Sequence, residues 1–253
     1  MTVDVAEAEH IVSAAQRSNR WVMVGMTYRF RDYATALHRF VDGGDLDDIY
    51  YGEARILRRR GTPMGWYTDR KLSGGGPLMD IGPHALDLGW WMMGEPKPVR
   101  VSGCTTKAIG HDRLDFLDRW KTYTPGNQDN AIYDTEDFAT AMIYFDTGAV
   151  LHLTVAWSVN GSQDNGLKLN VYGTRGGMSL DPPTIFGTRH QVFTDTQLSL
   201  GPGDYYKEEF GHFIQCILTG EDPMISAANG LTVVKILSAV RKSAESRHDV
   251  MLA

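Results

Sequence analysis

"GGGPLMDIGPHALDLGWWMMG", Gly74 to Gly94, is the stretch from which the rest of the chain can be read. Three glycines run into Pro77, which suits the first turn of a helix, and Gly94 suits its end. Leu78, Met79, Ile81, Leu86, Leu88, Trp90, Met92 and Met93 make that helix apolar on most sides, so it is expected to be buried. Its polar stripe is narrow. Asp80 and His84 stand four residues apart on one face, and Asp87 and Trp91 continue the line toward solvent or a cavity. A carboxylate and an imidazole at this spacing can serve as a proton-transfer pair, the neutral histidine taking a proton near pH 7 and the carboxylate orienting it. They can equally be a structural or solvent-facing pair, and spacing alone leaves both readings open. A metal site would need a third ligand, which no spacing supplies, so none is expected. Pro83 lies beyond the first turn and is expected to kink the helix just before His84. The glycines precede a helix N-terminus, where free N–H groups can bind an anion. They do not spell G-x-G-x-x-G, no Walker lysine follows, and close backbone approach is the simpler use for them.

Upstream, "TVDVAEAEHIVSAAQRS" has helical spacing, with Thr2 or Asp4 as its cap. "WVMVGM" (Trp21 to Met26) is continuously apolar, as a buried parallel strand would be. "RDYATALHRFVDGG" predicts a second helix and "IYYGEARILRR" a strand, followed by a loop, "GTPMGWYTDRKLSGGG". Downstream, "PVRVSGCTT", "DFATAMIYF", "AVLHLTVAWSV", "LKLNVYG" and "GMSL" predict strands. The polar segment around "KAIGHDRLDFLDRWKTYTPGNQDN" predicts a surface excursion. Two helices close the chain, in "YYKEEFGHFIQCILTG" and "ANGLTVVKILSAVRKSAES". The pattern implies one α+β domain with a large, mostly antiparallel sheet, preceded by one helix and one strand.

Composition narrows the function classes. The 253 residues are 42% hydrophobic and 22% charged, with a formal net charge of −6. "RRR" at Arg58 to Arg60 is the longest basic run, which disfavours bulk nucleic-acid binding. Cys104 and Cys216 show no zinc or redox spacing, and the N-terminus lacks the pattern of a signal peptide. No apolar run approaches the roughly 20 residues of a membrane span. A cytoplasmic chain without membrane or nucleic-acid partners is the expectation. Arg58, Arg59 and Arg60, with Trp66, Tyr67 and Lys71, form a basic and aromatic cluster before the glycines. It is either a solvated strand end or a pocket wall, in which an aromatic stacks on a polyol. Tyr28 and Arg29 follow the apolar run, where ligands gather beyond a strand's carboxyl end.

These segments, in this order, resemble the Gfo/Idh/MocA family of NAD(P)-dependent oxidoreductases over essentially the whole chain. "VGMTYRF" is similar to that family's last Rossmann strand and the turn after it, and "LSGGGPLMDIGPHALDLGWWMMG" to its block G-G-G-x-L-x-D-x-G-x-H-x-x-D. "TEDFATAMIYFDTGAVLHLTVAW", "VYGTRGGMSLD" and "GEDPMISAANGLTVVKILSAVRKSAES" resemble later family segments. The resemblance implies hydride transfer between NAD or NADP and a secondary hydroxyl or ketone of a sugar or cyclitol. His84 would be the general base or acid there, assisted by Asp80. Arg60, Trp66, Tyr67 and Lys71 would be substrate contacts, Tyr28 and Arg29 contacts to the nicotinamide edge. It also implies that residues 1–27 are a remnant of a dinucleotide-binding Rossmann domain and residues 28–253 a C-terminal α+β substrate-binding and dimerisation domain, a large, mostly antiparallel open sheet with helices on one face, so a homo-oligomer through the open sheet is expected. The family's nucleotide fingerprint and its E-K-P motif do not occur in this sequence. The chain therefore reads as beginning after the catalytic lysine, a truncated oxidoreductase inactive alone. The alternative is a non-catalytic dimerisation or ligand-binding module derived from that family.

Overall fold

The computed structural model describes residues 1–63, 65–109, 132–162 and 166–252. Most of the expected surface excursion lies outside the described residues.

Helix α1 (Val5–Ser18) begins where the Asp4 carboxylate accepts the Glu7 N–H at 3.1 Å, and it ends at Asn19, which adopts φ 50°. The following run, Trp21 to Met26, departs from expectation. It is extended but joins no strand of the sheet: Met23 bridges Ser226, Val24 N–H donates to Ile225 O, and Trp21 remains exposed. Its backbone pairs with one turn at the entry to the last helix, and a single pairing of that kind does not extend into a ladder. A short 3₁₀ turn (Thr27–Phe30) then leads to α2 (Asp32–Asp42).

Strand β1 (Ile49–Leu57) enters the sheet, and the chain crosses it through three helical pieces: α3 (Arg70–Ser73), α4 (Pro77–Asp80) and α5 (Gly82–Met92). The expected single helix is thus split at Ile81, two residues ahead of Pro83. Strands β2 (Pro98–Thr106), β3 (Phe138–Phe145), β4 (Val150–Ala156), β5 (Leu167–Gly173), β6 (Gly176–Leu180), β7 (Pro183–Arg189) and β8 (Val192–Gln197) follow. Helices α6 (Tyr205–Thr219) and α7 (Ala227–Ser246) and a short β9 (Val250–Met251) complete the chain.

The nine strands form one sheet in the order β8-β7-β6-β5-β1-β4-β3-β2-β9. Among the described residues β1 and β4 are its parallel pair, with Leu57 opposite Ala156, and the other neighbours run antiparallel. Alternate residues point to opposite faces. Ala54, Ile56, Ala141, Ile143, Leu151, Leu153, Leu169 and Val171 are buried on one of them. Helix α5 lies across that face so closely that a Cβ on Gly89 would stand 3.1 Å from Leu151 and 3.2 Å from Ala54. Helix α7 covers the β2 side, where a Cβ on Gly103 would meet Val240 O at 2.7 Å. The other face carries Tyr51, Glu53, Met142 and Tyr172, with a polar network at its middle in which Thr140 Oγ1 meets His152 Nε2 at 2.9 Å and Thr154 Oγ1 at 3.1 Å. The helices thus lie on one face of a mostly antiparallel open sheet, as the family resemblance implies.

Candidate active site

The carboxyl ends of the parallel pair β1 and β4 lie side by side, and each strand hands on to a residue of the site. Arg58 follows β1, its N–H donating to Ala156 O at 3.0 Å, and Trp157 follows β4, its N–H donating to Asp137 O at 3.0 Å. Over these ends sits the junction of α4 and α5. Trp157 is fully buried, and its indole Nε1–H donates to Asp80 Oδ2 at 2.9 Å. Asp80 is therefore held from the sheet side by a residue 77 positions away.

Four residues on, His84 opens α5. Burial, the largest influence, pushes its imidazole below the ordinary value. The Arg58 guanidinium pushes the same way, and the Asp80 carboxylate opposes both. The ring is therefore neutral at pH 7, able to accept a proton. Its Nδ1 is buried without a hydrogen-bond partner, so that nitrogen donates no hydrogen bond to Asp80. Asp80 acts on His84 through charge across the break at Ile81. The Tyr28 ring lies 5.7 Å from the His84 ring, tilted by 52°. Burial also draws the Arg58 guanidinium below its ordinary value, with Asp80, Tyr28 and Tyr67 raising it. Arg58 thus feels the charges of Asp80, Tyr28 and Tyr67, and His84 feels those of Asp80 and Arg58.

The other expected residues divide. Tyr67 faces this cluster and stacks on Trp66 at 4.0 Å, leaving Trp66 40% exposed. Lys71 is an exposed residue of α3. Arg60 turns to the loop beyond β4, donating to Val159 O at 3.0 Å and Asn160 Oδ1 at 2.6 Å. The charge of Arg58 reaches Asp80 and His84. Sequence reasoning put Arg60 forward because a run of three gives no sign of which member lies at the end of the parallel pair.

Arg29 is corrected outright. Its side chain is fully buried, donating to Asp87 from Nε at 2.8 Å and from Nη2 at 2.7 Å, and to Glu95 from Nη1 at 2.7 Å. A guanidinium spent on two carboxylates inside the core does not meet a nicotinamide. The lower half of the polar stripe goes with it: Asp87 is 1% exposed, and Trp91 stacks on His38 at 3.8 Å. Burial pushes the Asp87 carboxyl up, and Arg29 opposes it.

The glycine run serves close packing. A Cβ on Gly76 would stand 2.0 Å from Glu136 O. Glu136 Oε1 accepts the N–H groups of Gly76 at 2.8 Å and Leu78 at 3.3 Å, so a carboxylate of the same chain already fills the place an anion would take. This glycine run is accordingly not a pyrophosphate cradle. Tyr28, the other residue expected to meet a dinucleotide, is half-buried beside His84. No group of three or more histidine, cysteine, aspartate or glutamate side chains suited to a metal occurs among the described residues, and no helix there is long and apolar enough to cross a membrane.

Residues 34–179 match the GFO/IDH/MocA C-terminal domain. The D-glucoside 3-dehydrogenase of Escherichia coli K12 is 28% identical over 246 residues, which are 95% of this chain and 67% of that one. The NADP(+) D-xylose 1-dehydrogenase of Haloarcula marismortui is 22% identical, its match covering the whole of this chain and 66% of its own. In fold, the chain superposes along its full length on 71% of a levoglucosan dehydrogenase in complex with NADH, with a TM-score of 0.81 and 20% identity. This chain thus spans about two thirds of the length of these proteins. With more than half of its residues inside the family's domain, and sugar dehydrogenases as its relatives, the chain belongs to the Gfo/Idh/MocA family of oxidoreductases.

Proposed function

We propose that this chain forms the substrate half of an NAD(P)-dependent dehydrogenase that acts on a secondary hydroxyl of a sugar or cyclitol. The observation that carries the reading is the His84 imidazole: half-buried, with Nδ1 buried and unpaired, and kept neutral beside a carboxylate and a guanidinium. A neutral imidazole accepts the hydroxyl proton as the carbinol carbon is oxidised and returns it in the reverse direction. Asp80, fixed by the Trp157 indole, balances the imidazolium that forms. Arg58 favours the neutral imidazole before transfer and meets the negative charge that develops on the substrate oxygen. Tyr67 and Trp66 supply an aromatic wall for the apolar face of a polyol, and Tyr28 lies beside the imidazole where a nicotinamide edge would approach.

Relatives that act on glucosides and xylose support the sugar class, and a similar fold in complex with NADH supports the cofactor class. Residues 1–27 are read as a remnant of a dinucleotide-binding domain and residues 28–253 as the substrate-binding and dimerisation domain, whose open sheet would join copies of the chain. Since Glu136 occupies the helix terminus and Arg29 is committed to the core, this chain alone is proposed to bind NADH and NADPH more weakly than micromolar and not to turn over. Calorimetric titration of both cofactors into the 253-residue chain tests this, and micromolar affinity would overturn it. For the substrate half, the test is titration with a panel of methyl glycosides and cyclitols: binding should weaken at least tenfold in His84→Ala and Arg58→Ala. Unchanged binding in both variants would remove His84 from the site.

A further inference from the structure

Helix α6 is apolar on two sides, and the core takes up one of them. On the inner side Glu209 and Cys216 are buried, the His212 ring lies 5.5 Å from that of Phe30, and His212 Nε2 accepts the Met224 N–H at 2.9 Å. On the outer side Phe210, Ile214, Ile217 and Leu218 are each more than half exposed. At 3.6 residues per turn these four, with Lys207 and Gly211, lie within about 60° of the direction of Ile214, so they form one stripe along the helix. Apolar residues at i, i+4, i+7 and i+8 are the pattern by which a helix hides a face against a neighbour. No described residue covers this one.

The stripe is complementary to itself. Reversed about Ile214, position 210 falls on 218, 211 on 217 and 207 on 221. In two antiparallel α6 helices related by a two-fold axis at Ile214, Phe210 meets Leu218 of the other copy and Ile217 meets Gly211. There is room for it, since a Cβ on Gly211 would meet nothing within 4 Å. An exposed glycine inside a helix weakens the isolated helix, and the close approach of a second helix gives it a use. Charge sorts the same way. Lys207 stands at the N-terminal end of the stripe. At the other end α6 has no basic residue in its last turn, and the exposed Glu221 and Asp222 follow the stop at Gly220. Antiparallel packing brings each Lys207 to the helix end and acidic pair of the other copy, whereas parallel packing would set lysine against lysine. Glu208 lies about 120° round the helix from Ile214 and stays off the seam. An anionic membrane surface would instead meet the carboxylates of a chain with a formal net charge of −6.

We propose that the outer face of α6 is an interface between two copies of this chain, packed antiparallel about Ile214. The contact is separate from the open face of the sheet, and a chain that used both would assemble as a tetramer. About four turns of one helix present less than the roughly 800 Å² per partner of a standard interface, so the pair is expected to form at micromolar concentrations.

The test is sedimentation equilibrium of the whole chain from about 1 to 200 µM, for the unaltered protein and three variants, each checked for fold by circular dichroism. Ile214→Arg puts a charge on the axis at an exposed position. Lys207→Glu sets acid against acid, and Lys207→Glu with Glu221→Lys exchanges the two ends. In a Cys104→Ser background, which removes the exposed native thiol, Ile214→Cys places two thiols across the axis, and Glu208→Cys is the control off the seam. The expected result is a concentration-dependent doubling of mass that Ile214→Arg weakens at least tenfold and Lys207→Glu at least threefold. The exchanged variant should return to within twofold of the unaltered chain. Under oxidation by air with copper phenanthroline, Ile214→Cys should form a covalent dimer at least tenfold faster than Glu208→Cys. A chain that stays monomeric throughout the range, a charge exchange that restores nothing, or equal crosslinking at the two cysteines would overturn the interface. Assembly that ignores both Ile214→Arg and Lys207→Glu would overturn it too and leave the open sheet as the joining surface, so the two contacts fail separately. If Ile214→Arg does not fold, the charge exchange and the crosslinking pair decide.

Discussion

The indole of Trp157 donates to the carboxylate of Asp80 at 2.9 Å, tying the end of β4 to the last residue of α4. A hydrogen bond to a charged group is worth about 1.5–3 kcal/mol, and a carboxylate that loses its donor keeps the desolvation cost. Trp157→Phe keeps most of the ring and removes the donor. We expect it to lower the unfolding free energy by about 2 kcal/mol in urea denaturation and to weaken sugar binding, because Asp80 is no longer fixed. An unchanged midpoint would show that the contact contributes little.

Arg29 and Asp87 make the corresponding prediction in the core. Breaking a buried pair by removing one partner costs about 3–5 kcal/mol, while replacing both by apolar groups is often neutral. Asp87→Leu should therefore lose about 4 kcal/mol. The double variant Arg29→Met with Asp87→Leu should recover much of that, the remainder falling on Glu95, which still faces the vacated position. A double-mutant cycle with no coupling between the two sites would contradict the bidentate geometry.

The depressed pKa of His84 implies a direction for the pH dependence of stability. The unfolded chain protonates this imidazole near the ordinary value of 6.5, the folded chain only at lower pH. Between those two values the unfolded state binds more protons, so stability falls as pH falls, and the contribution is complete above 6.5. The slope from one such group is at most about 1.4 kcal/mol per pH unit. Urea midpoints at pH 7.5 and 5.5 should therefore converge in His84→Gln relative to the unaltered chain. If the two proteins lose stability in parallel, the imidazole is not desolvated as described.

Two glycines give opposite expectations. Gly76→Ala would drive a Cβ to 2.0 Å from the Glu136 carbonyl and should cost about 3 kcal/mol or more, or abolish soluble expression. Gly211 lies inside α6, where a Cβ meets nothing within 4 Å, so Gly211→Ala should stabilise the chain by about 0.5–1 kcal/mol through helix propensity. Thermal melts of both variants check the contrast.

Periodicity made much of this architecture readable. The strands from Ile49 to Leu180 and four of the helices follow alternating or helical patterns closely, because each hides one face against the same core. Strands β7 and β8 escaped. Residues of β8 are exposed on both faces, including Phe193 at 91%, so no alternation marks it, and the turn joining the pair runs through His190 and Gln191 at positive φ instead of the usual glycine or asparagine. Trp21 to Met26 misled for the opposite reason: an apolar run reads alike in a sheet and against a helix entry. In the site, Asp80 and His84 were visible through their local block. The burial of Arg29 and the anchoring of Asp80 by Trp157 depend on partners 58 and 77 residues away, which local pattern does not reveal.

The order of the strands also bears on how the chain reaches its fold. Strand β1 emerges early, yet both of its neighbours come much later: Tyr51 lies beside Val150 on one side and Tyr172 on the other. Until then β1 has two open edges, and α5, almost wholly apolar, has no sheet to lie on. Closing such distant pairs is slow for entropic reasons, and the interval exposes surfaces that associate between molecules. Yield on refolding should therefore fall steeply with protein concentration, and a chain cut anywhere between Ala85 and Val150 should aggregate rather than form half a domain.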